Sequence, residues 1–126
     1  MGRVCLPLVV VSALFLAGCG KHTPTYSLSK TSKCLTGKGV RLGGPLDFVA
    51  TTATGGAVRA HLRTNAVTLV FGHTASDADN IDAAYRRFHS SNVGIDDVLR
   101  QQNNAVMLWQ AHPADSDLAI VTGCLK

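Results

Sequence analysis

Apolar residues recur along the chain in three rhythms. The first is an unbroken run, Leu6 to Leu16 (LPLVVVSALFL). The second alternates. Val58, Ala60 and Leu62 are interleaved with Arg59, His61 and Arg63, which predicts a half-buried strand. The third is helical. Ile81, Ala84, Tyr85 and Phe88 stand at i, i+3, i+4 and i+7, the clearest amphipathic helix in the chain.

The segments between them fill in more elements. Leu28, Ser32 and Leu35 share a helical face over residues 27–35, with Ser27 as cap and Gly37 as the left-handed stop. Val40-Arg41-Leu42 reads as a short strand broken by Gly43-Gly44-Pro45. Leu46 to Thr52 reads as a second strand, followed by a hairpin turn at Thr54-Gly55-Gly56-Ala57. A turn at residues 63–66 leads into a strand over Val67–Phe71. Ser76 with Asp79 gives a capping box, in the sense that admits Asp, for the amphipathic helix. Residues 93–102 are mixed, with Val98-Leu99 suiting a short helical turn. Ala105 to Trp109 (AVMLW) has the composition of a buried strand.

Pro113 suits the opening of a last helix, with Asp115 and Asp117 in its first turn and Leu118, Val121 and Leu125 on one face. Ile120-Val121-Thr122-Gly123 also suits a strand. The helix is preferred because Leu118-x₅-Cys124-Leu125 echoes Leu28-x₅-Cys34-Leu35. Two such helices would lie side by side, each with a Cys near its end. The expected class is α+β: a small two-layer domain of about four mostly antiparallel strands, helices covering one face. Trp109 and Tyr85 are expected in its core.

Length bounds this further. Of 126 residues, the first 18 hold 13 apolar ones and read as a removable segment. What remains suits one compact domain and leaves no room for a multidomain enzyme or a full dinucleotide-binding fold. Arg3 precedes the apolar run, and Leu16-Ala17-Gly18-Cys19 closes it. The run is too short to span about 30 Å of hydrocarbon as a permanent helix but suits a signal-peptide core. Its last four residues resemble the lipobox of bacterial lipoprotein precursors. That resemblance implies a thioether-linked diacylglycerol on the Cys19 thiol, cleavage before Cys19 and acylation of that cysteine. It covers 19 residues and leaves the rest of the chain unassigned. The expected organisation is a signal peptide over 1–18, an acylated cysteine and tether over 19–26, and a single domain over 27–126. The expected location is the extracytoplasmic face of a membrane, periplasmic or at the cell surface.

With Cys5 in the removed segment and Cys19 acylated, Cys34 and Cys124 remain. Outside the cytoplasm such a pair is most simply a disulfide. All eight acidic residues are Asp, and eleven basic residues in the mature chain leave a net charge of +3. The basic ones concentrate in residues 19–63, next to the anchor, where anionic head groups would attract them. They are not interleaved with aromatics, which argues against nucleic acid as a partner.

Candidate chemistry is sparse. Arg59, His61 and Arg63 form a candidate basic stripe for an anionic lipid, a wall polymer or an envelope protein's acidic surface. His61 and His73, with Asp77 and Asp79, are the alternative: a metal-dependent or hydrolytic site. Their spacing matches no zinc signature. Ser90 and Ser91 beside His89 lack the turn of a nucleophile elbow. No cofactor and no catalytic residue is implied. The expected function is a non-catalytic envelope binding or structural module.

Overall fold

The computed structural model describes residues 25–89 and 94–126. The lipobox with Cys19, and Ser90 and Ser91, lie outside these. Among the described residues five helices and five strands follow in the order α1 (Leu28–Gly37), β1 (Arg41–Leu42), α2 (Phe48–Thr51), β2 (Ala57–His61), β3 (Ala66–Phe71), α3 (Ala75–Phe88), α4 (Ile95–Val98), β4 (Leu99–Gln102), β5 (Ala105–Trp109) and α5 (Asp115–Cys124). The strands form one antiparallel sheet in the order β1-β2-β3-β5-β4. The class is α+β, as the rhythms of the sequence predict.

The placement of the helices differs in one respect: they cover both faces of the sheet. All six residues of β3 are buried, which requires cover on both sides. Val67, Leu69 and Phe71 join Met107 and Trp109 of β5 in a core with Leu35 of α1 and Val121 of α5. On the opposite face Val70 and Val106 pack with Ala50 of α2 and with Ala78, Ile81 and Tyr85 of α3. The continuous apolar run from Ala66 to Phe71 is the trace this leaves in sequence, where a one-sided strand would alternate.

On the first face, α1 and α5 lie together and are joined by the Cys34–Cys124 disulfide, with Cα atoms 5.4 Å apart. The Ser27 N–H donates to the Lys126 carbonyl at 2.6 Å, so the start of α1 is also held to the chain end. Residues 115–124 are helical, as the echo between the two cysteine segments implies. Ser27 caps α1 by accepting from Lys30 N–H. The left-handed stop is taken by Gly39 (φ +80°), with Gly37 still inside the helix.

Three local expectations fail, the first two because polar chemistry outranks apolar rhythm and the third because two polar pairs compete for one helix start. Residues 46–52 form no strand. The Asp47 carboxylate accepts from Ala50 N–H at 2.9 Å and starts the short α2 instead, a cap that outweighs the β-propensity of Val49 and Thr51. The turn at 54–57 therefore joins a helix to β2 and is not a hairpin. The capping box of α3 is Thr74 with Asp77, two residues before the Ser76–Asp79 pair. Asp77 also accepts from the His73 N–H and the Thr54 hydroxyl, so one carboxylate gathers the whole entrance to the helix.

Tyr26 also moves, from tether to domain. Its N–H donates to Asn104 Oδ1 at 2.7 Å and its carbonyl accepts from Asn104 Nδ2 at 2.8 Å. Asn104 follows Asn103 (φ +50°) in the two-residue loop joining β4 to β5. Its Nδ2 also donates to the Gly72 carbonyl at 2.8 Å. One buried amide thus ties the domain's first residues, the end of β3 and the last hairpin.

Candidate functional site: an apolar groove beside Arg59

The sheet geometry separates the expected metal ligands. His61 pairs with Ala66 at the start of β3, whereas His73 follows the end of that strand. Some seven residues of nearly extended chain, about 20 Å, lie between those positions, so the two rings cannot share an ion. His61 Nε2–H donates to the Gly43 carbonyl at 2.7 Å, and Asp77 and Asp79 are engaged by the α3 entrance and by Gln101. Among the described residues no group of three His, Cys or Asp side chains is placed to hold a metal ion. His112 and Asp97 do meet at 2.5 Å, but as an ion pair with both side chains more than half exposed.

The basic stripe is rearranged. Arg59 and His61 lie on β2 and share a face, as alternation requires. Arg63 lies beyond the strand, in the turn closed by Leu62 N–H donating to the Asn65 carbonyl. The second arginine on this face is Arg41, paired with His61 across β1 and β2. Arg41 is legible in sequence only as a strand residue, because register between distant strands is not written in either one.

The same face carries a groove of about 600 Å³. Its walls come from four parts of the chain. Asp47 and α2 bring Phe48 and Val49, the end of α3 brings Tyr85 and Phe88, with His89 just beyond, and α4 brings Ile95 and Val98. Leu108, Trp109 and Gln110, at the end of β5, complete it. Trp109 is 2% exposed and its indole N–H has no hydrogen-bond partner among the described residues. Phe48 and Phe88 are 75% and 67% exposed. The i+7 spacing of Phe88 predicts burial, but α3 buries Ala78, Ile81 and Tyr85 and leaves Phe88, its last residue, exposed.

The polar groups of the groove are few and differently committed. The Tyr85 hydroxyl donates to both oxygens of Asp47, at 2.9 and 3.1 Å. Burial and the adjacent carboxylate push the phenol far above its ordinary range, so it stays a donor at any physiological pH. Asp47 therefore has its oxygens taken by Tyr85 and by Ala50 N–H. Gln110 is different. Its Oε1 accepts from Arg59 Nη2 at 3.1 Å, and Arg59 stands in register with Thr68 and Leu108 on this face. The basic pair and the apolar groove are thus adjoining parts of one surface, a juxtaposition that neither pattern announces alone.

No protein-family model, no curated protein and no solved structure matches the chain. The assignment of function rests on these residues themselves.

Proposed function

We propose that this protein is an extracytoplasmic binding module, held at a membrane through an acylated Cys19, and that the groove under Phe48 and Phe88 is its ligand site. The observation that carries the second half is the exposure of those two phenylalanines at a cavity of about 600 Å³. Aromatic rings left in water around a concave apolar surface are unfavourable in free energy, and a ligand relieves this. The volume falls in the range of small-molecule sites. The anchor is supported by the Leu16-Ala17-Gly18-Cys19 box after the apolar run. Stable attachment needs more than one acyl chain, at about 0.8 kcal/mol per buried CH₂.

Both halves are testable in one strain pair. Cells expressing the chain or its Cys19→Ala variant are fed an alkyne-tagged fatty acid, then fractionated. The parent is expected in the membrane fraction with a tag that neutral hydroxylamine does not remove, and the variant without one. An untagged parent, or a variant that partitions into detergent like the parent, refutes the anchor. For the groove, a neutral long-chain diazirine alcohol should label peptides containing Phe48 or Phe88. Labelling spread evenly over the surface refutes the site.

A further inference from the structure

The chemistry at the Gln110 end of the groove specifies a ligand class more narrowly, and the inference rests on the groove being the ligand site. Arg59 has no carboxylate partner among the described residues, whose ion pairs are those of Arg86 and His112. Arg41 stands in the neighbouring row beside His61. With Gln110 Oε1 occupied by Arg59, the amide's own N–H groups remain as donors. A guanidinium and an amide N–H thus converge where the apolar surface of Leu108 gives out. Asp47, whose charge would disfavour an anion, already accepts from Tyr85 and Ala50.

We propose that the groove binds a single-chain anionic amphiphile, a long-chain fatty acid, with its chain against Phe48, Phe88 and Leu108 and its carboxylate on Arg59 and Gln110. Guanidinium and carboxylate match in plane and in charge, and the pair is stronger for lying beside apolar walls. A bilayer surface would use the cations and leave the concavity unfilled. A wall polymer would leave the phenylalanines in water.

The test uses the full chain reconstituted in nanodiscs of zwitterionic phospholipid. Two photoreactive probes of equal chain length are compared, a diazirine fatty acid and the corresponding diazirine alcohol, with crosslinked peptides read by mass spectrometry. The acid is expected to label peptides around Phe48 and Phe88 and to be displaced by unlabelled fatty acid. Arg59→Gln should weaken acid labelling about tenfold, the loss of one charge-assisted contact, and leave alcohol labelling unchanged. Arg59→Lys should retain most of it, and Arg63→Gln, in the turn, should match the parent. If Arg59→Gln leaves acid labelling intact, the fatty-acid assignment fails while the groove stands as a site. If a diazirine phospholipid labels the groove as strongly as the acid does, the occupant is the bilayer and the assignment fails likewise. If neither the acid nor the alcohol labels the groove, the ligand site itself is refuted together with it.

Discussion

Asn104 is the single side chain whose replacement tests the architecture most sharply. It is 1% exposed and makes three hydrogen bonds, one accepted from Tyr26 N–H and two donated to the Tyr26 and Gly72 carbonyls. Asn104→Asp keeps size and shape but turns both donated bonds into an oxygen facing two carbonyl oxygens. The Gly72 carbonyl is left buried and unsatisfied and the Tyr26 carbonyl half-buried, at about 1–3 kcal/mol each. The expected cost at pH 7 is therefore about 3–5 kcal/mol, a large share of the roughly 5–15 kcal/mol that holds such a domain folded. The melting temperature should fall by roughly 15–25 °C.

The pH dependence separates this account from simple loss of packing. Burial beside carbonyl oxygens raises the folded-state pKa of the introduced acid above its unfolded value of about 3.9. The folded state then binds the proton more tightly, so the variant's deficit relative to the parent grows as pH rises from about 4 towards neutrality. It should shrink in acid, where the introduced carboxyl group, once protonated, can donate one bond again. Asn104→Ala loses the bonds without introducing a charge, and its deficit should be flat across the same range. The measurement is urea unfolding of parent and both variants at about pH 4.5 and 7, on either side of most of that change. An Asn104→Asp deficit below about 1 kcal/mol at pH 7, or one independent of pH, would refute the role assigned to this amide.

Other elements give further expectations. Removing the disulfide with Cys34→Ala/Cys124→Ala frees a loop of 90 residues' separation and should cost about 4–5 kcal/mol in denaturant unfolding; a loss under about 1 kcal/mol would show that α1 and α5 hold together without it. Gly72→Ala would drive a Cβ into Asp77 Cβ and to within 3.0 Å of the Thr74 carbonyl oxygen. It should destabilise by about 1–3 kcal/mol, and a neutral result would mean that the α3 entrance is looser than described. Arg86 holds the exposed Asp96 carboxylate below its ordinary range. With the folded pKa depressed, that pair's contribution is present above an unfolded value of about 3.9 and is lost as pH falls through the folded one. Arg86→Met should therefore flatten part of the acid limb in a pH titration of stability at low salt, and an unchanged limb would show that solvent already screens the pair.

What the sequence shows of this fold depends on how local the deciding interaction is. Ala105–Trp109 and the helix through Ile81 and Tyr85 are legible because rhythm and composition agree over a whole element. The echo between the Cys34 and Cys124 segments correctly places two helices side by side, because a bridge at matched positions demands it. Residues 46–52 mislead because one carboxylate, Asp47, decides the backbone, and Thr74-x-x-Asp77 is as visible as Ser76-x-x-Asp79. Only Gly72 ahead of it, with no room for a Cβ, marks the true entrance. Asn104 is invisible because its partners lie 78 and 32 residues away. The groove is hidden for the same reason, being assembled from Phe48, Phe88, Ile95 and Leu108 on separate elements. Phe88 has the right period for burial, but period gives a direction and not the extent of the surface it meets.

The two faces of the sheet divide the work of the domain unequally. One is closed by α1 and α5, carries the disulfide and contains the larger core, with Leu35, Trp109 and Val121 almost wholly buried. The other has one long helix, α3, beside the four-residue helix α2, too short to extend cover across the sheet, while α4 buries its Val98 in the first core. Its core ends at Leu108, half-buried at the margin, and the next residue on that face, Gln110, is exposed. A small domain whose core is divided between two faces has little stability to spare for an open apolar surface. A covalent tie on the opposite face supplies it, and meets the groove's lining only through the core it shares with Val98 and Trp109. The arrangement predicts an order of failure: reducing the bridge should lower stability while ligand labelling at Phe48 and Phe88 persists in the fraction still folded. Labelling lost in step with the disulfide, at a temperature where circular dichroism shows the domain intact, would mean that the groove is shaped by the closed face after all.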